Sequence, residues 1–174
     1  LFMNLVTTDL PAITLALIPT SKDIMEEKPR KKQTILNKIS IIWLIISSLS
    51  LASITLAVFY FDFNVLGNTT EYARTTTLLS LIFLEIISAY NFMSFREKVK
   101  PSSLFANKYL LIASTLSLII TAIIIYSPLN NAFETVPLGI ESWAIAIVSS
   151  MVIIIIFNIL KALNNKYNFA VNND

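Results

Sequence analysis

The chain has 174 residues, of which 55% are hydrophobic and 14% charged, with a formal net charge of +2 and neither cysteine nor histidine. So apolar a composition belongs to a polytopic membrane protein rather than to a soluble domain of this length. The missing residue types exclude disulfides, thiolate and histidine metal sites and histidine general bases, and the long uncharged runs leave no room for a soluble catalytic or nucleic-acid-binding domain.

The expected fold is all-α: one transmembrane domain over 1–174, a helix bundle of five spans, each near or above the roughly 18–20 residues that cross the hydrocarbon. The first span, 1–21, carries a single charge, Asp9. Its start lacks an initiator Met or a basic flank, which reads as a span truncated at its N-terminus. Asn4, Thr7 and Thr8 stand at i, i+3 and i+4 and share one helical face. Pro11 has no N–H, so the carbonyl of Thr7 loses its helical partner and needs another, a bound cation included. Asp9 points about 100° away from Thr8 and joins that face only where the helix unwinds near Pro11.

The second span covers 39–61. The third, 75–95, again holds one charge, Glu85. The fourth covers 109–133, with Pro128 near its outer end, and the fifth 142–160, ahead of a tail over 161–174. An ionised side chain inside a bilayer is costly and is usually kept for binding or moving an ion, so Asp9 and Glu85 are the candidate functional residues. Asp9 lies 13 residues before Lys22 and Glu85 lies 11 before Arg96. At 1.5 Å per residue both acids fall about 16–20 Å from their basic flanks, at a common depth.

Basic residues set the orientation. The connection 20–38 holds six, 62–74 only Arg74, 96–108 four, 128–141 none, and the tail Lys161 and Lys166. By the positive-inside rule the loops 22–38 and 96–108 and the C-terminus are expected to be cytoplasmic. Asn68-Thr69-Thr70 matches a glycosylation acceptor, a triplet common by chance.

The stretch Asn4-Leu-Val-Thr7-Thr8-Asp9-Leu-Pro11-Ala12, followed by Asp23-Ile-Met25 and Pro29-Arg30, resembles the sixth membrane helix and following loop of P-type cation-transporting ATPases, in the calcium-pump and sodium-pump branch. Ala73-Arg74-Thr75, Glu85, Asn91 and Ser94 resemble the eighth helix, and the other spans fit the seventh, ninth and tenth. The resemblance implies that Asn4, Thr7 and Glu85 bind the transported cation. The family aspartate falls at Thr8 here, and Asp9 occupies a position usually held by glycine. Either the acid has moved one place along an unwound segment, or the ion chemistry differs. The cation implied is Ca²⁺ or a monovalent ion.

The family phosphorylates an aspartate within Asp-Lys-Thr-Gly, a sequence this chain does not contain. ATP and Mg²⁺ would act only in catalytic domains outside the sequence given, and no ATPase activity is expected of this chain alone. Its expected partners are the lipid bilayer and the remaining helices and cytoplasmic domains of the pump, on the same or another chain. The preferred expectation is the C-terminal membrane part of a cation pump. The alternative is a free-standing membrane interaction or assembly protein derived from that domain, without transport activity.

Overall fold

A computed structural model describes residues 9–15, 38–93 and 107–167. Asn4, Thr7, Thr8 and the rest of residues 1–8, with residues 16–37, 94–106 and 168–174, lie outside the described residues. Every regular element described is helical: α1 (Leu10–Leu15), α2 (Lys38–Tyr60) with a π-helical turn at Phe61–Val65, α3 (Thr70–Phe92), α4 (Lys108–Tyr126), a short α5 (Asn130–Phe133) and α6 (Ile140–Tyr167). Four of them are long and apolar enough to cross a membrane: Ile41–Val65, Thr70–Phe92, Lys108–Tyr126 and Ile140–Leu163.

The helix ends have local causes. Thr69 accepts a hydrogen bond from the Tyr72 N–H and starts α3, ahead of the expected residue 75. The fourth span is expected over 109–133, with Pro128 near its outer end, and α4 stops at Tyr126. Pro128 cannot supply the next helical N–H and disfavours helical geometry at Ser127, so α5 forms as a separate turn. Helix α6 continues through Tyr167, past the expected residue 160.

Helix α3 is the hub. Its Ile82, Ile86, Ala89 and Tyr90 pack with Leu110 of α4 and Leu15 of α1. Leu84 packs with Trp43 of α2 and with Ile153 and Phe157 of α6. Leu79 packs with Ile125 of α4 and Ala146 of α6. Lipid tails are as apolar as these side chains, so close packing and polar contacts, not water exclusion, must hold the helices together. Small residues accordingly stand at the α3–α6 contact: Thr76 meets Ser142 there, Leu79 packs with Ala146, and all four are buried. Hydroxyls elsewhere bond back to their own helices, as Ser47 does to the Trp43 carbonyl at 2.6 Å and Thr121 to that of Ser117 at 2.7 Å.

At the end of the bundle where α3 begins, a hydroxyl chain ties α3 to α6. Thr76 Oγ1 donates to Ser142 Oγ at 3.0 Å, which donates to Tyr72 Oη at 3.0 Å, which accepts the Gly139 N–H at 2.9 Å. A Cβ on Gly139 would sit 3.3 Å from that phenol oxygen, which favours glycine there. Trp143 Nε1 donates to Tyr126 Oη at 2.8 Å, and Tyr126 donates to the Leu138 carbonyl at 2.8 Å. The 127–139 connection is thereby strapped across α3, α4 and α6.

At the opposite end one residue does two jobs. Asn107 is buried; its Oδ1 accepts the N–H groups of Tyr109 and Leu110, both at 3.1 Å, and caps α4. Its Nδ2 donates to the Thr14 carbonyl of α1 at 3.0 Å. Asn107→Ala should therefore lower stability by about 1–2 kcal/mol from the lost cap alone. Asn107→Asp should keep the cap and lose only the tie to α1. Thermal unfolding in lipid nanodiscs checks this: the Ala variant should melt below the Asp variant, and equal melting of all three proteins would refute the double role.

Candidate cation site

Asp9 adopts π-helical geometry immediately before α1 and is exposed on this chain. Wide turns of this kind open the i→i−4 ladder and recur at functional sites. Pro11, two residues on, is buried, and Thr14 Oγ1 donates back to its carbonyl at 2.7 Å. The α1 backbone is thus irregular at Asp9 and regular beyond it.

Glu85 is half-buried on α3. At 100° per residue it lies about 160–180° around the helix from Thr76 and Phe83, the residues that meet Ser142 and Trp143 of α6. It belongs to the face of α3 that α6 leaves uncovered. Ile82 and Ala89, within about 60° of it, pack in the cluster that also holds Leu15 of α1.

Depth follows from the same contacts. The Thr14 carbonyl meets the N-cap of α4, so α1 runs towards the end of the bundle where α3 stops and α4 starts. Asp9 lies five residues back from Thr14, about 8 Å, and Glu85 seven back from Phe92, about 10 Å. Counted back from Thr14 and from Phe92, the two acids lie a similar number of residues in, five and seven. No group of three or more Asp, Glu, His or Cys side chains that could hold a metal comes together among the described residues. The two carboxylates and their neighbours could be only part of a cation site, because hard cations take six or more oxygen ligands.

Two further polar features escape a reading by composition. Asp62, placed by its charge in a loop, is fully buried inside the π turn, where its Oδ1 accepts from Asn68 Nδ2 at 2.7 Å. The amide of the Asn68-Thr69-Thr70 triplet is engaged in that bond. Lys161, read as the first residue of a tail, is fully buried against α3, and its ammonium donates to Asn91 Oδ1 at 3.3 Å. Asn91 Nδ2 in turn donates to the Ile87 carbonyl at 3.0 Å. The signal in sequence would have been the pairing of Asn91 with the apolar run that continues to Leu163 around Lys161.

Asn91→Leu should leave that ammonium buried without its acceptor and cost about 1–3 kcal/mol. The double variant Asn91→Leu/Lys161→Met should recover most of the loss. Denaturation in nanodiscs measures both, and a single variant as stable as the parent would refute the pairing.

A family model described as "Cation transporting ATPase, C-terminus" matches residues 1–163. The chain is 27% identical to calcium-transporting ATPase 1 of Bacillus cereus over 92% of its own length and 20% of that protein's. It is 28% identical to a calcium-transporting ATPase of Bacillus subtilis, over 84% of this chain and 17% of the relative. It is 30% identical to calcium-transporting ATPase type 2C member 1 of Pongo abelii, over 80% and 15%. The chain thus spans a fifth or less of the length of these relatives. With a family match over nearly all of its length and a bundle of apolar helices to go with it, this chain belongs to the C-terminal membrane domains of cation-transporting ATPases and is similar to the calcium-transporting ones.

Proposed function

We propose that this chain is the part of a P-type pump in which the first span, around Asp9, and α3 supply oxygen ligands to a transported cation, with the other helices as scaffold. The observation that carries the reading is the placement of Glu85 on the face of the hub helix that α6 leaves open, next to Ile82 and Ala89, which pack with Leu15 of α1. Asn4, Thr7 and Thr8, outside the described residues, complete the contribution of the first helix. Calcium is the preferred cargo, because relatives named as calcium-transporting ATPases match most of the chain and because carboxylate, amide and hydroxyl oxygens are the ligands Ca²⁺ takes. Helices and cytoplasmic domains beyond this sequence would complete the site and bring ATP and Mg²⁺ to the reaction.

In the complete pump, Glu85→Gln should weaken cation-dependent phosphorylation, since it removes charge while nearly preserving shape. Asp9→Asn separates two arrangements of the first helix. If Asp9 is a ligand, the variant should need at least about tenfold more cation, equivalent to about 1.4 kcal/mol. If Thr8 holds the position, Asp9→Asn should change little and Thr8→Ala should weaken binding. Unchanged cation dependence in all three folded variants would leave the chain a scaffold only.

The orientation proposed with this reading puts loops 22–38 and 96–108 and the C-terminus in the cytoplasm, following the lysine and arginine distribution. Single cysteines at Lys31, Lys100 and Asn165 should be labelled only from the cytoplasmic side, and those at Asn64 and Asn131 only from the other. Labelling of Asn64 and Lys100 from one side would overturn the orientation.

A further inference from the structure

A cleft of about 320 Å³ opens where the end of α2, the first half of α3 and the connection after α5 meet. Arg74 and Glu134 stand at its mouth, and Phe59 of α2, Leu78 and Leu81 of α3 and Phe133 give it an apolar wall. Arg74, Leu78 and Leu81 are spaced i, i+4 and i+7, so they follow one face of α3. Along that face the lining changes from charged to apolar within about 10 Å of helix rise. Arg74 sits about one turn inside the span Thr70–Phe92, and Phe59 less than two turns before the end of the span Ile41–Val65. The cleft thus lies at one edge of the hydrocarbon, where lipid headgroups give way to acyl chains.

The polar groups at the mouth have bonding capacity to spare. Arg74 and Glu134 approach to 4.0 Å, with side chains 60% and 80% exposed. That distance is past hydrogen-bond range, and so exposed a pair opens at little cost. Thr135, which also lines the cleft, is 8% exposed, and its Oγ1 has no hydrogen-bond partner among the protein atoms. A buried hydroxyl left without a partner is destabilising, so a ligand that meets it gains by doing so. The backbone that carries Glu134 is fixed in place. Thr75 Oγ1 accepts the Val136 N–H at 3.2 Å, and Glu134 takes a left-handed conformation, φ 51°, closed by the Thr135 N–H on the Asn130 carbonyl at 3.0 Å. A non-glycine residue in that region is strained and persists where the surrounding structure over-determines it.

We propose that this cleft seats one phospholipid whose headgroup carries both a phosphate and a primary ammonium, an ethanolamine phospholipid. Arg74 presents its planar fork of N–H donors to the phosphate. Thr135 Oγ1 donates to a phosphate or ester oxygen, and Glu134 accepts the N–H bonds of the ammonium. The start of an acyl chain lies along Phe59, Leu78 and Leu81. Charge complementarity selects among headgroups: a choline ammonium has no N–H for Glu134, and an uncharged glycerol headgroup leaves that carboxylate facing a net anion. A soluble phosphate or amine would leave the four apolar side chains of the wall uncovered, so the wall favours an amphiphile. The site is separate from the proposed cation ligands and does not depend on them.

The test uses the complete pump in phosphatidylcholine nanodiscs, doped with a trace of phospholipid bearing a photoactivatable diazirine on its acyl chain. Three probes differ only in headgroup: phosphatidylethanolamine, phosphatidylcholine and phosphatidylglycerol. On irradiation the ethanolamine probe should label the peptides that hold Phe59, Leu78 and Leu81 about fivefold or more above the other two. Arg74→Gln should remove that excess, and Leu78→Trp, which fills the cleft, should remove the labelling itself. Glu134→Gln should bring the ethanolamine and glycerol probes to within about twofold of each other. Cation-dependent phosphorylation measured on every variant reports that it is folded. Equal labelling by all three probes is what ordinary surrounding lipid would give, and it would overturn the headgroup recognition. No labelling of the cleft in a phosphorylation-competent pump would mean that other parts of the pump cover it, and would overturn the site. An ethanolamine preference that survives Glu134→Gln would equally overturn the assignment.

Discussion

A hydrocarbon surrounding gives no water to a polar side chain, and α3 brings more of them into it than any other helix here. Thr75, Thr76, Ser80, Ser88 and Asn91 are all buried on it, and Glu85 is half-buried beside them. Such a helix cannot face lipid all round without unsatisfied polar groups, so it has to be enclosed by protein. The bundle is arranged to do this: α6 covers the hydroxyl-rich back of α3, α2 and α4 flank it, and α1 lies beside the remaining face. Helix α3 is accordingly the most buried of the four spans.

Enclosure alone would not fix how deep the acid sits. Two polar fastenings near the ends of α3 do. One is the Thr76–Ser142–Tyr72–Gly139 chain, with the Tyr126 and Trp143 contacts beside it. The other is Lys161 on Asn91, six residues or about 1.7 turns beyond Glu85. Hydrogen bonds of this kind are worth only about 0.6–2 kcal/mol each between membrane helices, yet they are directional where apolar packing is not. They pin α3 against sliding along α6. Asn107 extends the same logic to α1, by binding its Thr14 carbonyl from the cap of α4. On the proposed reading, this is what lets two helices far apart in sequence hold two carboxylates at one level.

Much of this was legible in the residues. Four apolar helices among the described residues fall within or across the uncharged runs, and Asp9 and Glu85 stand out by their isolation within such runs. The irregular backbone at Asp9 was foreshadowed by Pro11, and the family by the Asn4–Pro11 stretch with Glu85. Other features were not legible, for physical reasons that differ. Asp62 reads as a loop acid because charge is a local property, whereas its burial depends on a π turn folding Asn68 back onto it. Lys161 reads as the start of a polar tail because its acceptor, Asn91, lies 70 residues away. Asn107 gives no signal beyond a cap, since its second bond is made to a backbone carbonyl that no side-chain pattern reveals. The early end of α4 was the exception: Pro128 was in plain view, but apolar residues on both sides of it extended the run past the break.

In its sharper form, the proposed function has the first and third spans share one cation through Asp9, rather than Thr8, and Glu85. The most direct test is a double-mutant cycle in the complete pump, with calcium affinity measured by equilibrium binding for the parent, Asp9→Asn, Glu85→Gln and the double variant. Two carboxylates on one ion should couple by more than about 0.5 kcal/mol, so the losses should fail to add. Two clear single losses that add in the double variant would mean that the acids act at separate places, and would contradict the account.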